Sequence, residues 1–193
     1  MGCKIRYSDS LCIGAALKFI PLRLDGVFII DLEPTHDVRG FFARTWCSQE
    51  FKENGLNGNI SQCSFSSNLK IGTLRGMHYQ AEPYPEAKLV RCTSGAIYDV
   101  ILDIRPESPT FKEWEAIELS SVNMRSIYVP PGFAHGFQSL VDHSEVLYMV
   151  SEHYRPEYSA SVRWNDPKFG IVWPDVEVRL MSEKDKNCRD FPL

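Results

Sequence analysis

From residue 26 to residue 151 the chain is a succession of short apolar runs separated by turn-forming residues, and that spacing leaves few folds open. Candidate strands are GVFIIDL (26–32), GFFART (40–45), NISQCSFSS (59–67), GTLRGMHYQ (72–80) and KLVRCTSG (88–95). They continue with AIYDVILDI (96–104), EAIELS (115–120), SIYVP (126–130), HGFQSL (135–140) and EVLYMVS (145–151). Alternation is clearest in AIYDVILDI. Ala96, Tyr98, Val100, Leu102 and Ile104 share one face and Asp99 and Asp103 fall on the other, which predicts a sheet with one face on the core. Ser94-Gly95, Arg105-Pro106, Ser108-Pro109 and Pro130-Pro131-Gly132 punctuate the runs. Helix signals are few: SQEFKENG, with Ser48 as N-cap and Gly55 as stop, and a short stretch near Ser182 to Lys186. The expected fold is all-β, a sandwich or jelly-roll barrel with a few short helices, whose open mouth lets alternate side chains converge on a ligand.

A length of 193 residues suits one domain with a sizeable core. The division expected is an N-terminal extension or arm over residues 1–18 and a single jelly-roll domain over 19–193. The formal net charge of −4, with no Lys/Arg run, argues against a nucleic-acid partner, so any bound anion must be held by a few placed cations. The six cysteines form no CxxC pair and fit neither a zinc site nor a small disulfide framework. Those in strand-like runs read as small reduced core residues, which points to a reducing compartment. Cys12 to Ile20 is fairly apolar, but Lys18 interrupts it and it is too short to span a bilayer. Arg6 stands where a myristoylation signal needs Ser or Thr. No membrane attachment is expected, and a cytoplasmic location is.

The chemistry-bearing residues lie in a few segments. TLRGMHYQ (73–80) carries Arg75 and His78 around Gly76. In a regular strand Arg75 and His78 face opposite ways, and Gly76 can mark a bulge that turns both into one pocket. His135 lies among small residues that permit close approach of a ligand, or it closes a turn. Tyr148 is either a core tyrosine or a phenolic acid. Tyr154, in an expected loop, is placed to stack on a flat ring. Asp166 either orients a histidine or shapes an Asx turn before Pro167. Lys88 and Arg91 fall on opposite strand faces. Metal-binding barrels of this kind offer a second histidine two residues after the first. Here that residue is Gln80, a poor ligand for zinc or iron, so no metal is expected.

Taken together, RGFF (39–42), TLRGMHYQ (73–80), KLVRC (88–92), the run from Asp99 through Asp103-Ile104-Arg105 to Ser108-Pro109-Thr110, PPGFAHGF (130–137) and RWNDP (163–167) resemble the dTDP-4-dehydrorhamnose 3,5-epimerase family, over roughly Phe19 to Pro174. The resemblance implies a cupin-type jelly roll, metal-free, without cofactor and homodimeric. Its substrate would be a nucleotide-diphosphate-linked 4-keto-6-deoxyhexose, inverted at carbons 3 and 5. Carried over residue by residue, it makes His78 the general base, Asp166 its carboxylate partner and Tyr148 the general acid. Tyr154 becomes the ring that stacks on the nucleotide base. Lys88, Arg75 and Arg39 are cations near the enolate or diphosphate, His135 contacts the substrate, and Gln62 is a polar pocket residue. Such a set can do the chemistry without redox help: a cation stabilises the enolate, a histidine removes the proton, and a second group returns it from the opposite face.

Four residues depart from the family pattern, in the part of the site the resemblance assigns to the nucleotide or sugar. Arg44 replaces a glutamate after the RGFF phenylalanines, Ser64-Phe65 replaces an asparagine-histidine pair, and Ser159 replaces a later glutamate. The implied proton-transfer set is intact, while the nucleotide is left open: a CDP- or GDP-linked sugar, or inversion at a single carbon, fits the same residues. Two readings of other classes are a non-catalytic sugar-nucleotide-binding cupin and a metal-dependent cupin. Retention of His78 and Tyr148 argues against the first and Gln80 against the second.

Overall fold

The computed structural model describes residues 16–192, and two antiparallel sheets face each other across one apolar core. The six-stranded sheet comprises β1 (Leu17–Pro21), β2 (Phe28–Leu32), β5 (Gln62–Asn68), β7 (Lys88–Ser94), β10 (Ser126–Val129) and β12 (Ser144–Val150), in the order β1-β2-β10-β7-β12-β5. The five-stranded sheet comprises β6 (Leu74–Gln80), β8 (Ala96–Asp103), β9 (Trp114–Ser120), β11 (Phe133–Ser139) and β13 (Ser159–Ser161), in the order β13-β6-β11-β8-β9. A separate hairpin pairs β3 (Thr35–Asp37) with β4 (Gly40–Phe42). Helices are short, α1 (Ser48–Glu53) and α2 (Glu183–Lys186). This is the expected jelly-roll layout, and each predicted strand has a counterpart within a few residues. The strands with no sequence prediction are the short β1, β3 and β13. Residues 1–15 of the expected extension lie outside the described residues, and Leu17 and Lys18 belong to β1.

Between the sheets Val90, Ile97, Ile101, Ile127, Phe137 and Val146 are all buried together. Burying one such side chain contributes roughly 1.5–3 kcal/mol. Both sheets are also covered outside. Residues 162–191 lay Val162, Phe169 and Trp173 over the five-stranded sheet. Helix α1 seats Phe51 against Ile30, Leu89 and Tyr128 of the six-stranded sheet. Of the cysteines in the strand-like runs, Cys92 is a core residue as read, but Cys63 is exposed and the buried reading fails there; Cys47 and Cys188, outside those runs, are half-buried, and Cys3 and Cys12 lie outside the described residues. Cys47, not Ser48, is the N-cap of α1, and it makes no side-chain capping bond.

The one-sided reading of β8 is corrected. Tyr98, Val100, Leu102 and Ile104 do pack together, but under the C-terminal segment. The face carrying Asp99 and Asp103 is the one turned to the inter-sheet core, beside Ile97 and Ile101, and both carboxylates are fully buried. Asp103 is compensated by its own loop. Its Oδ2 accepts from Arg105 Nη2 (2.7 Å), Ser108 Oγ (2.6 Å) and Thr110 Oγ1 (2.7 Å), and its Oδ1 from the Arg105 N–H (3.0 Å). Burial alone would raise its pKa, but these donors outweigh it and hold the carboxyl below the usual range.

One local device decides what faces the core. Between β6 and β11 the register slips, His135 standing opposite His78 and Phe137 opposite Arg75, so three steps of β6 oppose two of β11. The additional residue is Gly76, with φ +137°, and a Cβ there would lie 2.5 Å from Gly136 Cα. A Cβ on Gly136 would in turn lie 2.8 Å from Met77 Sδ and 2.9 Å from the Arg75 carbonyl. Two glycines are therefore required where the strands touch, and the bulge turns both Arg75 and His78 inward as the Gly76 reading anticipated.

Replacing Asp103 by Asn should cost about 1–3 kcal/mol, because the amide loses charge-assisted bonds while Arg105 and two hydroxyls keep their need for an acceptor. A depressed folded-state pKa stabilises the fold fully above the unfolded carboxylate value of about 3.9 and is lost as pH falls through the lower folded value. Urea unfolding across pH 2–6 should therefore show a shallower acid loss in the variant than in the parent. Identical acid profiles would remove Asp103 from the account.

Candidate active site

A cavity of about 830 Å³ opens between the two sheets, within the size range of small-ligand pockets. The five-stranded sheet brings Arg75, His78 and His135 to it, and the six-stranded sheet brings Ser64, Lys88 and Tyr148. Tyr154 and Ser159 also line it, beyond β12 and on β13. Eight of the twelve residues singled out in the sequence thus meet at one place.

His78 Nε2 lies 2.7 Å from Asp185 Oδ1, and Asp185 is on α2, not in the RWNDP turn. This corrects the assignment of Asp166. Asp166 is 1% exposed and uses both oxygens on backbone, accepting from Lys168 N–H (3.0 Å) and Phe191 N–H (2.7 Å), and it does not line the cavity. The Asx-turn reading describes it. Burial would raise the Asp185 pKa, but the hydrogen bond and charge of His78, with help from Ser182 and the Gly76 N–H, hold it below the ordinary value. An ionised Asp185 accepting from Nε2–H leaves Nδ1 of His78 as its basic nitrogen. A faint signal for Asp185 exists: Ser182 is the N-cap of α2 and accepts from the Asp185 N–H, in a short helix expected near Ser182 to Lys186. Lys184 in that helix also lines the cavity and was not singled out.

A second imidazole–carboxylate pair stands beside the first. His135, directly across the strands from His78, places Nε2 2.8 Å from Asp99 Oδ2, and both residues are buried. Burial pushes the Asp99 carboxyl up, opposed by His135 and Lys88. Lys88 donates to the His78 carbonyl (3.0 Å) and faces Glu86 at 3.3 Å; burial lowers its pKa, and Glu86 and Asp99 work against that. The Tyr148 ring lies 6.2 Å from that of His135. Burial pushes the Tyr148 hydroxyl well above its usual range, so it is a protonated phenol at neutral pH.

Four expected site residues lie elsewhere. Asp166 is one. Gln62 is not part of the lining; its Oε1 accepts the backbone N–H of Tyr154. Arg39 sits on the exposed β3–β4 hairpin, with Nε 3.1 Å from Asp37 Oδ2, and Arg44 forms an ion pair with Glu50. In this chain neither arginine reaches its own cavity. Gln80, in the position where a metal-binding barrel carries histidine, lines the cavity with its amide engaged by backbone groups.

The fold and this geometry can be set beside known proteins. The family model described as dTDP-4-dehydrorhamnose 3,5-epimerase matches residues 21–192. A dTDP-4-dehydrorhamnose 3,5-epimerase of Methanothermobacter thermautotrophicus is 43% identical over 177 residues, covering 91% of this chain and 95% of that protein. The crystal structure of the Bacillus anthracis dTDP-4-dehydrorhamnose 3,5-epimerase with TDP and PPi bound is similar with a TM-score of 0.87 and 38% identity, covering 91% of this chain and all of that one. A 3'-monoepimerase from Streptomyces bikiniensis in complex with dTDP-quinovose is similar with a TM-score of 0.83 and 31% identity, covering 89% of this chain and 86% of that one.

The two aspartates separate by experiment. Asp185→Asn should lower proton exchange from a ketosugar substrate on the order of 10²–10⁴-fold, by removing the carboxylate that orients the base. Asp166→Asn should mainly lower thermal stability and leave the turnover of folded protein near that of the parent. The reverse pattern would return the orienting role to Asp166.

Proposed function

This chain belongs to the dTDP-4-dehydrorhamnose 3,5-epimerase family, and we propose that it epimerises a dTDP-linked 4-keto-6-deoxyhexose at carbons 3 and 5. It is a carbohydrate epimerase, an isomerase; the sugar, nucleotide and carbons are the proposal. The observation that carries it is the placing of base and acid on different sheets. His78, paired with Asp185, faces the cavity from the five-stranded sheet, and the protonated Tyr148 faces it from the six-stranded one.

The steps follow from that arrangement. A proton α to the ketone passes to Nδ1 of His78, and the resulting imidazolium is held by Asp185. The electron pair moves to the ketone oxygen as an enolate. Lys88, buried beside the cavity, supplies a cation where water cannot screen it. Tyr148 then gives its phenolic proton to the opposite face of the carbon, the enolate collapses to the ketone, and solvent returns the proton to the phenolate and removes the one on His78. Repetition at the second carbon flanking the ketone uses the same groups. Arg75, held by Asn68 Oδ1 at 2.8 Å, and Lys184 provide positive charge toward a diphosphate, and Tyr154 provides a ring for the nucleotide base.

Tyr148→Phe separates catalysis from packing. Removing only the hydroxyl should block inversion while His78 continues to exchange the substrate proton for solvent deuterium on the original face. Net epimer formation should fall at least about 10²-fold further than exchange. Equal, near-parental rates for both would remove Tyr148 from the mechanism. Running the assay on dTDP-, CDP- and GDP-linked 4-keto sugars, with deuterium resolved by ring position, tests nucleotide and carbons together; exchange confined to one carbon would make the chain a monoepimerase.

We further propose a homodimer whose β3–β4 hairpin reaches the partner's cavity. The hairpin leaves Val38, Phe41 and Phe42 largely exposed and carries Arg39, which does not line its own chain's cavity. Sedimentation should give a dimer. Arg39→Ala and His78→Ala chains, each weak alone, should regain part of the activity when co-refolded, since one site of each mixed dimer then holds both residues. No recovery from demonstrably mixed dimers would place Arg39 outside the partner's site.

A further inference from the structure

We propose that Gln80 is a positioning residue for the nucleotide end of the substrate, its side-chain amide fixing the backbone on either side of Tyr154 and so the ring at the cavity mouth. The inference rests on the stacking role given to Tyr154 above.

Gln80 ends β6, two residues beyond His78 and on the same strand face, and is 4% exposed. Its Nε2 donates to the Tyr84 carbonyl (2.6 Å) and to the His153 carbonyl (3.2 Å). Its Oε1 accepts the Arg155 N–H (2.8 Å). Residues 153 and 155 bracket Tyr154, whose own N–H is bound by Gln62 Oε1. Three successive residues are therefore held by two glutamine side chains. The Tyr154 side chain, in contrast, has little around it, the residue being 61% exposed. Backbone anchoring, not side-chain packing, sets where the ring stands.

The same amide joins two loops. Tyr84 belongs to the segment after β6 and His153 to the segment after β12. The Arg155 guanidinium lies 3.8 Å over the Tyr84 ring, and the Tyr84 and Tyr158 rings meet at 5.0 Å. Only a neutral amide supplies two N–H donors and an acceptor from one planar head. A carboxylate there would set an oxygen against two carbonyls. An imidazole has one donor and one acceptor when neutral and cannot meet all three groups. A ring already held in place costs less ordering when the nucleotide binds, so the effect falls on affinity and not on proton transfer.

The test compares steady-state kinetics and binding of dTDP alone for Gln80→Glu, Gln80→Met, Tyr154→Ala and the Gln80→Met/Tyr154→Ala double variant, each checked for folding by thermal unfolding. The Gln80 variants should raise KM and weaken dTDP binding on the order of 10-fold, with kcat within about twofold. Tyr154→Ala should do the same, and the double variant should be no weaker than Tyr154→Ala alone. Parental binding by both Gln80 variants while Tyr154→Ala is weak overturns the inference and leaves the stacking reading intact. Full additivity in the double variant, or a fall in kcat at unchanged KM, overturns it also. Unchanged affinity in Tyr154→Ala overturns the stacking reading and the inference with it. Amide hydrogen exchange on the unaltered protein needs no variant: the Arg155 N–H should be strongly protected, and exchange at the unprotected rate would show that Gln80 does not hold it.

Discussion

The contact of Gly76 on β6 with Gly136 on β11 governs what the rest of the molecule can do. Any side chain at either position would force the strands apart, since the added Cβ would lie under 3 Å from the opposing strand. With both absent, β6 takes up one more residue than its partner. Leu74 and Met77 then turn outward into the apolar layer under the C-terminal segment, and Arg75 and His78 both turn inward. A regular strand would have sent Arg75 into that apolar layer, where an unpaired guanidinium is costly. The bulge thus satisfies packing on one face while placing an imidazole and a guanidinium together on the other.

Buried carboxylates form the second organising theme, and each is compensated differently. Asp103 is surrounded by donors from its own loop and behaves as a staple for the β8–β9 connection. Asp99 faces His135 with Lys88 near, and Asp185 faces His78. The first has no mobile proton partner and is structural. The other two each face an imidazole, so burial there is coupled to proton position and not only to stability.

Legibility in the sequence followed interaction range. Period-two runs and turn residues are local, and they located the main strands; the eight cavity residues came from short local motifs and from the family resemblance those motifs carry. The aspartates of β8 were read as an outer face because alternation reports that two faces differ, not which one is covered; here both are, and the charged one lies inside. RWNDP is a strong local motif and pointed to Asp166, whereas the His78–Asp185 contact joins residues 107 apart through a four-residue helix and has no local signature. The capping pattern at Ser182 explains the helix but conceals the second use of the carboxylate at its third position. Arg39 and Arg44 were legible as residues of interest, but their place on the hairpin and beside α1 depends on pairing with Asp37 and Glu50, which no spacing rule reveals.

The distribution of functions across the fold makes it possible for recognition to change without disturbing proton transfer. His78 and Tyr148, the proposed base and acid, stand on the facing walls of the barrel, held by sheet register and by buried partners. Ser64, Phe65 and Ser159, where the chain departs from the family pattern, lie on β5 and β13, at the edges of the two sheets, and still line the cavity. An edge strand has one hydrogen-bonded neighbour, so a side-chain change there disturbs fewer packed contacts than one on β6 or β7. Ser64 and Ser159 put small hydroxyls in the lining, and Ser159, in place of the family's glutamate, leaves one fewer negative charge beside the proposed diphosphate. The departures that line the cavity therefore sit at the sheet edges, while the inner strands hold the groups proposed for the chemistry; Arg44, the remaining departure, pairs with Glu50 outside the lining.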